Sequence, residues 1–327
     1  MSLQIFKGGI LDSIQDQGRY GSQHLGINPG GAMDKYAAQL ANALLGKDLH
    51  SPVIEMHFPA AEIVVEKETI ICLTGADFSA TINKQTLPLA QPILIKGKTV
   101  IQFKRRLSGA RCYLSVLPEL NIEKWLNSYS TNMLATVGGF KGRALKKGDT
   151  IDFKNNAQFN FSKDDRSIVL LPWKAAVPTN FGKSIRFIKG NEWDWLTDES
   201  KEILNKSEFE ITGNSNRMGY RFEGDNMDLK QKDQLISSPV TFGTIQLIPG
   251  GQLIILMADH QTTGGYPRIA YVISADLPLL AQVNAGDKIN FIEVDQTIAE
   301  QLFLDQQRDL LHIQIASKFK MEALHAM

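Results

Sequence analysis

Runs of four to six residues rich in Val, Ile, Leu or aromatics set the strongest limit on what this chain can fold into. Glu62–Glu66 (EIVVE), Thr69–Thr74 (TIICLT), Pro92–Ile95 (PILI), Thr99–Phe103 (TVIQF) and Arg111–Val116 (RCYLSV) are of this kind, bounded by Gly, Pro, Asn or Lys. They read as strands, because such side chains pack well on a pleated surface and the flanking residues turn the chain. Many short strands at close spacing point to closed or sandwiched β structure rather than a doubly wound parallel sheet.

Two helices are expected among these strands. Asp34–Leu45 puts Tyr36, Leu40, Ala43 and Leu44 at helical spacing, with Asp34 in the N-cap position and Gly46 where the C-cap is expected. Thr297–Leu311 places Ile298, Leu302, Leu304 and Leu310 among Gln, Glu and Asp, and Ala316–Met327 either continues it or frays. A weak repeat links the two halves: Gly148-Asp149-Thr150-Ile151-Asp152-Phe153 recurs as Gly286-Asp287-Lys288-Ile289-Asn290-Phe291, with Gly97–Phe103 a looser copy. Either this is common turn chemistry, or two domains of related build each close on such a strand. The polar stretch Asn155–Arg166 is the linker candidate between them.

A chain of 327 residues is long enough for about two domains. Its 35 Lys plus Arg balance 35 Asp plus Glu, so no general attraction to nucleic acid or to an anionic membrane is expected. Cys72 and Cys112, both inside apolar runs, exclude a disulfide framework or a cysteine-built zinc site by count. No signal-peptide pattern opens the chain, and its strongest apolar stretch, Leu253–Ala258, is far short of the roughly 20 residues a membrane helix needs. A soluble, cytoplasmic protein is expected. No His cluster at ligand spacing, phosphate-binding loop, dinucleotide fingerprint or serine-hydrolase elbow occurs.

Chemistry-bearing residues concentrate in three stretches. Asp16–Asp34 (DQGRYGSQHLGINPGGAMD) joins dense glycine to Asp16, Arg19, His24 and Asp34, and its Asn28-Pro29-Gly30-Gly31 run leads into the first helix. It fits an anion-binding loop, or a structural loop held by its own Asp–Arg pairs. Met257–Asp276 (MADHQTTGGYPRIAYVISAD) sets Gln261, Thr262, Thr263, Gly264, Gly265, Tyr266 and Arg268 between two buried strands. A polar loop on a rigid frame fits recognition of a carboxylate or ureido group; a tight hairpin with incidental polarity fits as well. Ser215–Gly224, with Arg217, Tyr220, Arg221 and Glu223, reads as a surface Arg–Glu strand or as a contributor to a site.

These same stretches carry a resemblance. The segments are Gln15–Arg19 with Gly21 and His24–Gly26; Gly31–Asp34 with Ala41-Asn42; Leu73–Asp77; and Gln261–Ala270. Arg217–Tyr220 and Ser274–Leu277 add to them, in order over about residues 5–295. Together they resemble the allophanate hydrolase subunit 2 or carboxyltransferase A/B subdomain family, which includes the C subunit of 5-oxoprolinase, KipA-like proteins and the carboxyltransferase region of urea carboxylase. Within the stretch, Gly190-Asn191-Glu192 stands where the family usually has Gly-Pro-Gln/Glu.

The resemblance implies a mainly β fold with a few helices, built as two cyclophilin-like β-barrel subdomains. They are expected over residues 1–160 and 161–312, with a tail over 313–327. It implies one member of a bacterial 5-oxoprolinase complex that opens 5-oxoproline to L-glutamate with ATP, and is active only with partners. The partners implied are an allophanate-hydrolase-subunit-1 or KipI-type chain and a LamB/YcsF-type chain. Under that reading Asp34, Asp259 and Arg268 are the candidate catalytic groups. Gln261, Thr262, Thr263, Gly264, Gly265, Tyr266 and Arg217 are expected at the substrate. No metal and no covalent biotin are expected on this chain, and the ATP site is unassigned. The alternatives are a KipA-like regulatory binding protein, or a biotin-dependent carboxyltransferase acting on urea or a similar amide.

Overall fold

The protein is seen here in a computed structural model that describes residues 2–155, 167–176, 182–231 and 233–326. The expected linker Asn155–Arg166 therefore lies, from residue 156 onward, outside the described residues. The fold is mainly β with helices α1 (Lys35–Leu44), α2 (Asp198–Lys206), α3 (Leu277–Ala281) and α4 (Gln296–Ala326). Its contacts define two compact units: Met1–Gly18 with Asp34–Asn180 and Gln307–Met327, and Arg19–Met33 with Phe181–Gln306.

In the first unit the strands form two six-stranded sheets. One runs Thr150–Asp152, Ser2–Lys7, Glu62–Val65, Thr99–Phe103, Ala80–Ile82, Gln85–Thr86; the other Ile168–Leu170, Ile93–Ile95, Thr69–Asp77, Ser108–Leu117, Val53–His57, Ser13–Gln15. Leu3, Ile63 and Ile101 from one sheet and Ile54, Leu73 and Leu114 from the other are fully buried in a single core. Thr69–Asp77 shows why its sequence is a continuous apolar run. Ile71 and Leu73 point into that core, while Ile70 and Cys72 point into a second one with Leu40 and Leu44 of α1. A strand covered on both faces has no solvent side to mark with polar residues. Cys72 and Cys112 are buried, and burial pushes both thiols up and away from reactivity.

Helix α1 starts as expected, with Asp34 accepting a hydrogen bond from Ala37 N at 2.8 Å. Leu45 follows the helix as its C-cap, and Gly46 comes next. The φ of +65° at Gly46 and its approach to the Lys318 backbone of α4 (2.9 Å from a would-be Cβ to Cα) both demand glycine. Helix α4 includes the segment that was expected either to continue or to fray. No Gly or Pro interrupts it, and Leu310 and Met321 pack into the α1 core. Trp173 Nε1 closes that core by donating to Leu44 O at 2.9 Å.

The second unit holds a closed seven-stranded barrel in the order Ser184–Lys189, Arg268–Val272, Thr244–Ile248, Gln252–Leu256, Gly219–Glu223, Glu208–Ile211, Lys288–Glu293. The last strand pairs with the first in parallel, Ser184 opposite Asn290. Phe187, Phe209 and Phe222 fill its interior around Phe291, with ring centroids 5.5–6.4 Å apart in tilted and edge-to-face arrangements.

The Gly-Asp repeat is a structural one. Gly148 N donates to Ile5 O (2.8 Å), and Asp149 O accepts from Ile5 N (2.8 Å). In the second unit Gly286 N donates to Ile211 O (2.8 Å) and Asp287 O accepts from Ile211 N (3.0 Å). Both Asp side chains also cap their own turns, Asp149 from Lys146 N and Asp287 from Asn284 N. Both glycines have positive φ, +89° and +86°. The strands that follow pair antiparallel with Ser2–Lys7 and with Glu208–Ile211, so each unit closes on the same device.

Candidate functional site

The loop between Gln252–Leu256 and Arg268–Val272 is placed by the barrel wall. Both strands pair with Thr244–Ile248, one on each side, so the loop arches over the strand between them. A bulge shifts the register from Ile245 opposite Ala270 to Gln246 opposite Arg268, which re-aims the chain where the loop returns. Thr263–Gly264 pairs with Ser238–Pro239, and Val240 N donates to Thr262 O at 3.1 Å. Backbone bonds therefore hold the loop in place, while Gln261, Thr263, Gly265 and Tyr266 remain exposed on it.

At the loop's start, Asp259 gathers residues from all three stretches singled out in the sequence. Arg217 Nε and Nη2 donate to Asp259 Oδ2 and Oδ1 at 2.7 and 3.2 Å, and Nη2 also donates to Gly31 O at 2.6 Å. Asn28 Nδ2 donates to Asp259 O at 3.0 Å, and Asp259 N donates to Arg217 O at 2.8 Å. The pair is largely shielded, with side chains 8% and 16% exposed, which is why the fork geometry holds two charges together there. Gly30 sits against this cluster at φ +62°, with a would-be Cβ 3.0 Å from Arg19 Nη1 and 3.6 Å from Asp259 Oδ1. His260 is buried, its Nδ1 2.5 Å from Gln261 O.

At the loop's end Arg268 is held by Glu192. Its backbone N and its Nε donate to Oε2 at 2.8 and 3.0 Å, and Nη2 donates to Oε1 at 2.8 Å. Burial raises the Glu192 carboxyl, but the Arg268 hydrogen bonds and charge overcome this and hold it below its ordinary value. Glu192 was no sequence candidate, although it ends the Gly190-Asn191-Glu192 segment that departs from the family's usual residues. Asp34 belongs to the first unit. There its backbone N donates to Tyr113 Oη (2.8 Å), whose hydroxyl donates to the buried Glu55 carboxylate (2.8 Å), while its own carboxylate caps α1.

A cleft of 480 Å³ opens on the outer face of the barrel wall. Asn214, Asn216, Arg221, Gln246, Gln261 and Tyr266 line it, with Met218, Ile248, Ile254 and Leu256 among its apolar members. Loop residues Gln261 and Tyr266 thus line one cleft with Arg221 of the third stretch and with Gln246, which was not a candidate. Gln246 was missed because one amide in Thr-Ile-Gln-Leu-Ile looks like an ordinary solvent-facing position. The structure buries it to 1% exposure instead, on the face opposite the core residues Ile245 and Leu247. Among the described residues no cluster of His, Cys, Asp and Glu is suited to hold a metal ion, and no helix is long and apolar enough to cross a membrane.

A barrel carrying a bonded polar loop of this kind defines a class, and comparison with known proteins identifies it. Residues 25–293 match the family described as carboxyltransferase domain, subdomain A and B, and the chain belongs to that family. It is 34% identical over 305 residues to the C subunit of 5-oxoprolinase from Haemophilus influenzae, covering 91% of this chain and 95% of that one. To the corresponding C subunit from Escherichia coli it is 32% identical over 306 residues, covering 94% and 96%. Among solved structures it resembles the Kluyveromyces lactis urea carboxylase, with a TM-score of 0.86 at 25% identity over 97% of this chain and 29% of that one. The relatives are parts of enzymes.

Proposed function

We propose that this chain is the C subunit of a 5-oxoprolinase, a complex that opens 5-oxoproline to L-glutamate at the expense of ATP. The observation that carries the reading is the near full-length similarity to two proteins named as that subunit. The site is consistent with it. The loop Gln261–Tyr266 offers an exposed amide and hydroxyls held on a rigid backbone, as recognition of a small polar ring requires. In this reading Gln261, Thr262, Thr263, Gly264, Gly265 and Tyr266 contact substrate. Arg217 and Asp259 fix the loop's first half, and Arg268 with Glu192 its second. Asp34 is the catalytic candidate of the first unit. With no phosphate-binding loop in the sequence, ATP is assigned to the assembled complex. Its other members are an allophanate-hydrolase-subunit-1 or KipI-type chain and a LamB/YcsF-type chain.

The experiment is glutamate release from 5-oxoproline and ATP by this chain co-purified with those partners. Glutamate that disappears when this chain is left out supports the reading. An assembled complex that releases none refutes it. A second reading, carboxyl transfer to an amide by way of biotin carried on another chain, draws on the likeness to urea carboxylase. It is tested in the same preparation by incorporation of labelled bicarbonate into urea when a biotin carrier is supplied.

A further inference from the structure

Gln246, which lines the cleft on the outer barrel face, carries a buried acceptor with no donor among the described residues. Gln246 Nε2 donates to Tyr266 O at 3.2 Å, but Gln246 Oε1 is shielded from solvent and has no hydrogen-bond partner among the described residues. Gly264 lies directly over this carboxamide, a would-be Cβ falling 2.9 Å from Nε2, so any side chain there would displace it. A buried carbonyl oxygen without a donor is costly, and such groups in folded proteins are normally met by protein, water or ligand.

The strand register places a complementary group nearby. Gln246 is opposite Ile254, and Ile254 is opposite Arg221, so the three form one row across adjacent strands on one face. All three line the cleft. Two strand spacings of about 4.8 Å separate the Gln246 and Arg221 backbones, within converging reach of a Gln and an Arg side chain. Arg221 is exposed, and its guanidinium makes no ion pair among the described residues. The row therefore offers, in order, a buried acceptor, an apolar floor and an available cation, with Gln261 and Tyr266 also lining the cleft.

We propose that this row is a two-point recognition site for a small amide that carries a carboxylate: the amide N–H donates to Gln246 Oε1, the ring packs on Ile254, and the carboxylate pairs with Arg221. The proposal rests on reading Gln261–Tyr266 as a substrate loop and supplies the groups that would set its specificity. Gln246 acts as a discriminator, because a ligand without the N–H leaves the acceptor as poorly served as before.

The test is calorimetric binding to the full chain of three probes. They are 5-oxoproline, the lactone acid with ring oxygen in place of N–H, and 2-pyrrolidinone, which lacks the carboxylate. The wild type is expected to bind 5-oxoproline at least tenfold more tightly than either analogue. Gln246→Leu should abolish the lactam-over-lactone preference, Gln246→Glu should retain much of it, and Arg221→Met should abolish the preference for the acid over 2-pyrrolidinone. Gln246→Leu gives up one hydrogen bond, to Tyr266 O, and should melt within about 5 °C of wild type, which separates lost recognition from lost folding. Equal binding of lactam and lactone, an unchanged preference in Gln246→Leu, or no binding at all overturns the site. Glutamate release by the complex is read separately. If it persists while discrimination is absent, only the site fails. If it is absent while discrimination holds, the site stands for another amide acid and the oxoprolinase reading fails.

Discussion

Removing Arg268 should act first on folding, because its guanidinium is already committed to Glu192. Three hydrogen bonds join the two residues, and their side chains are only 16% and 9% exposed. Breaking a shielded pair from one side leaves the other charge without its partner and costs about 3 kcal/mol, toward the lower end for buried pairs because some solvent reaches this one. In a unit of this size that loss lowers the melting temperature by about 10 °C. Replacing both partners removes the stranded charge, so the double variant should lose less than the sum of the singles, with a coupling of about 2 kcal/mol. Denaturant unfolding of wild type, Arg268→Met, Glu192→Gln and the double variant measures it. The coupling should also depend on pH. The folded carboxyl lies below its ordinary value, so its contribution is fully present above the unfolded carboxyl's pKa and disappears as pH falls through the folded one. Should Arg268→Met unfold like wild type, with no coupling, while turnover collapses, the pair does not hold the loop and the guanidinium serves the ligand instead.

Three further outcomes follow from buried groups. Gly30→Ala forces an L-residue to φ +62° and a Cβ against Arg19, and should cost about 1–2 kcal/mol in thermal unfolding. Asp12, raised by burial to about 7 from 3.8, keeps its proton in the folded protein where the unfolded chain has lost it. Stability should therefore fall as pH rises from about 4 to about 7, and Asp12→Asn should flatten that slope. Lys47, lowered by burial to about 8 from 10.5, gives the opposite sign in an alkaline window. The unfolded chain there binds more protons, so stability should rise from about pH 8 to about 10.5 by on the order of 3 kcal/mol, and not in Lys47→Met.

The features legible in the sequence are those that local physics dictates. Short apolar runs became strands because their flanking residues turn the chain, and Asp34 caps α1 because a carboxylate there meets a free N–H. The Gly-Asp repeat foretold a shared closing turn because a positive-φ glycine followed by a self-capping Asp is written in adjacent residues. Long-range partners were not legible in the same way. Nothing in Gly190-Asn191-Glu192 announces Arg268, 76 positions later. Gln246 was hidden because its burial comes from a loop that arches over it, not from its own strand. Helix α2 escaped notice because it is nine residues long with only Ile203 and Leu204 apolar, too few for a helical period to show in the sequence. The sheets differed as well: one unit closes into a ring, while the other encloses its core between two sheets, a choice set by pairing rather than composition.

The most direct measurement is an add-back titration. The partner chains are purified without this one, supplied with 5-oxoproline and ATP, and glutamate is followed as this chain is added. The account predicts no glutamate at the start, a rise in proportion to added chain that saturates at a fixed stoichiometry, and ATP consumed in step with glutamate. Full glutamate release before any addition, or none at saturation in an assembled complex, would contradict it.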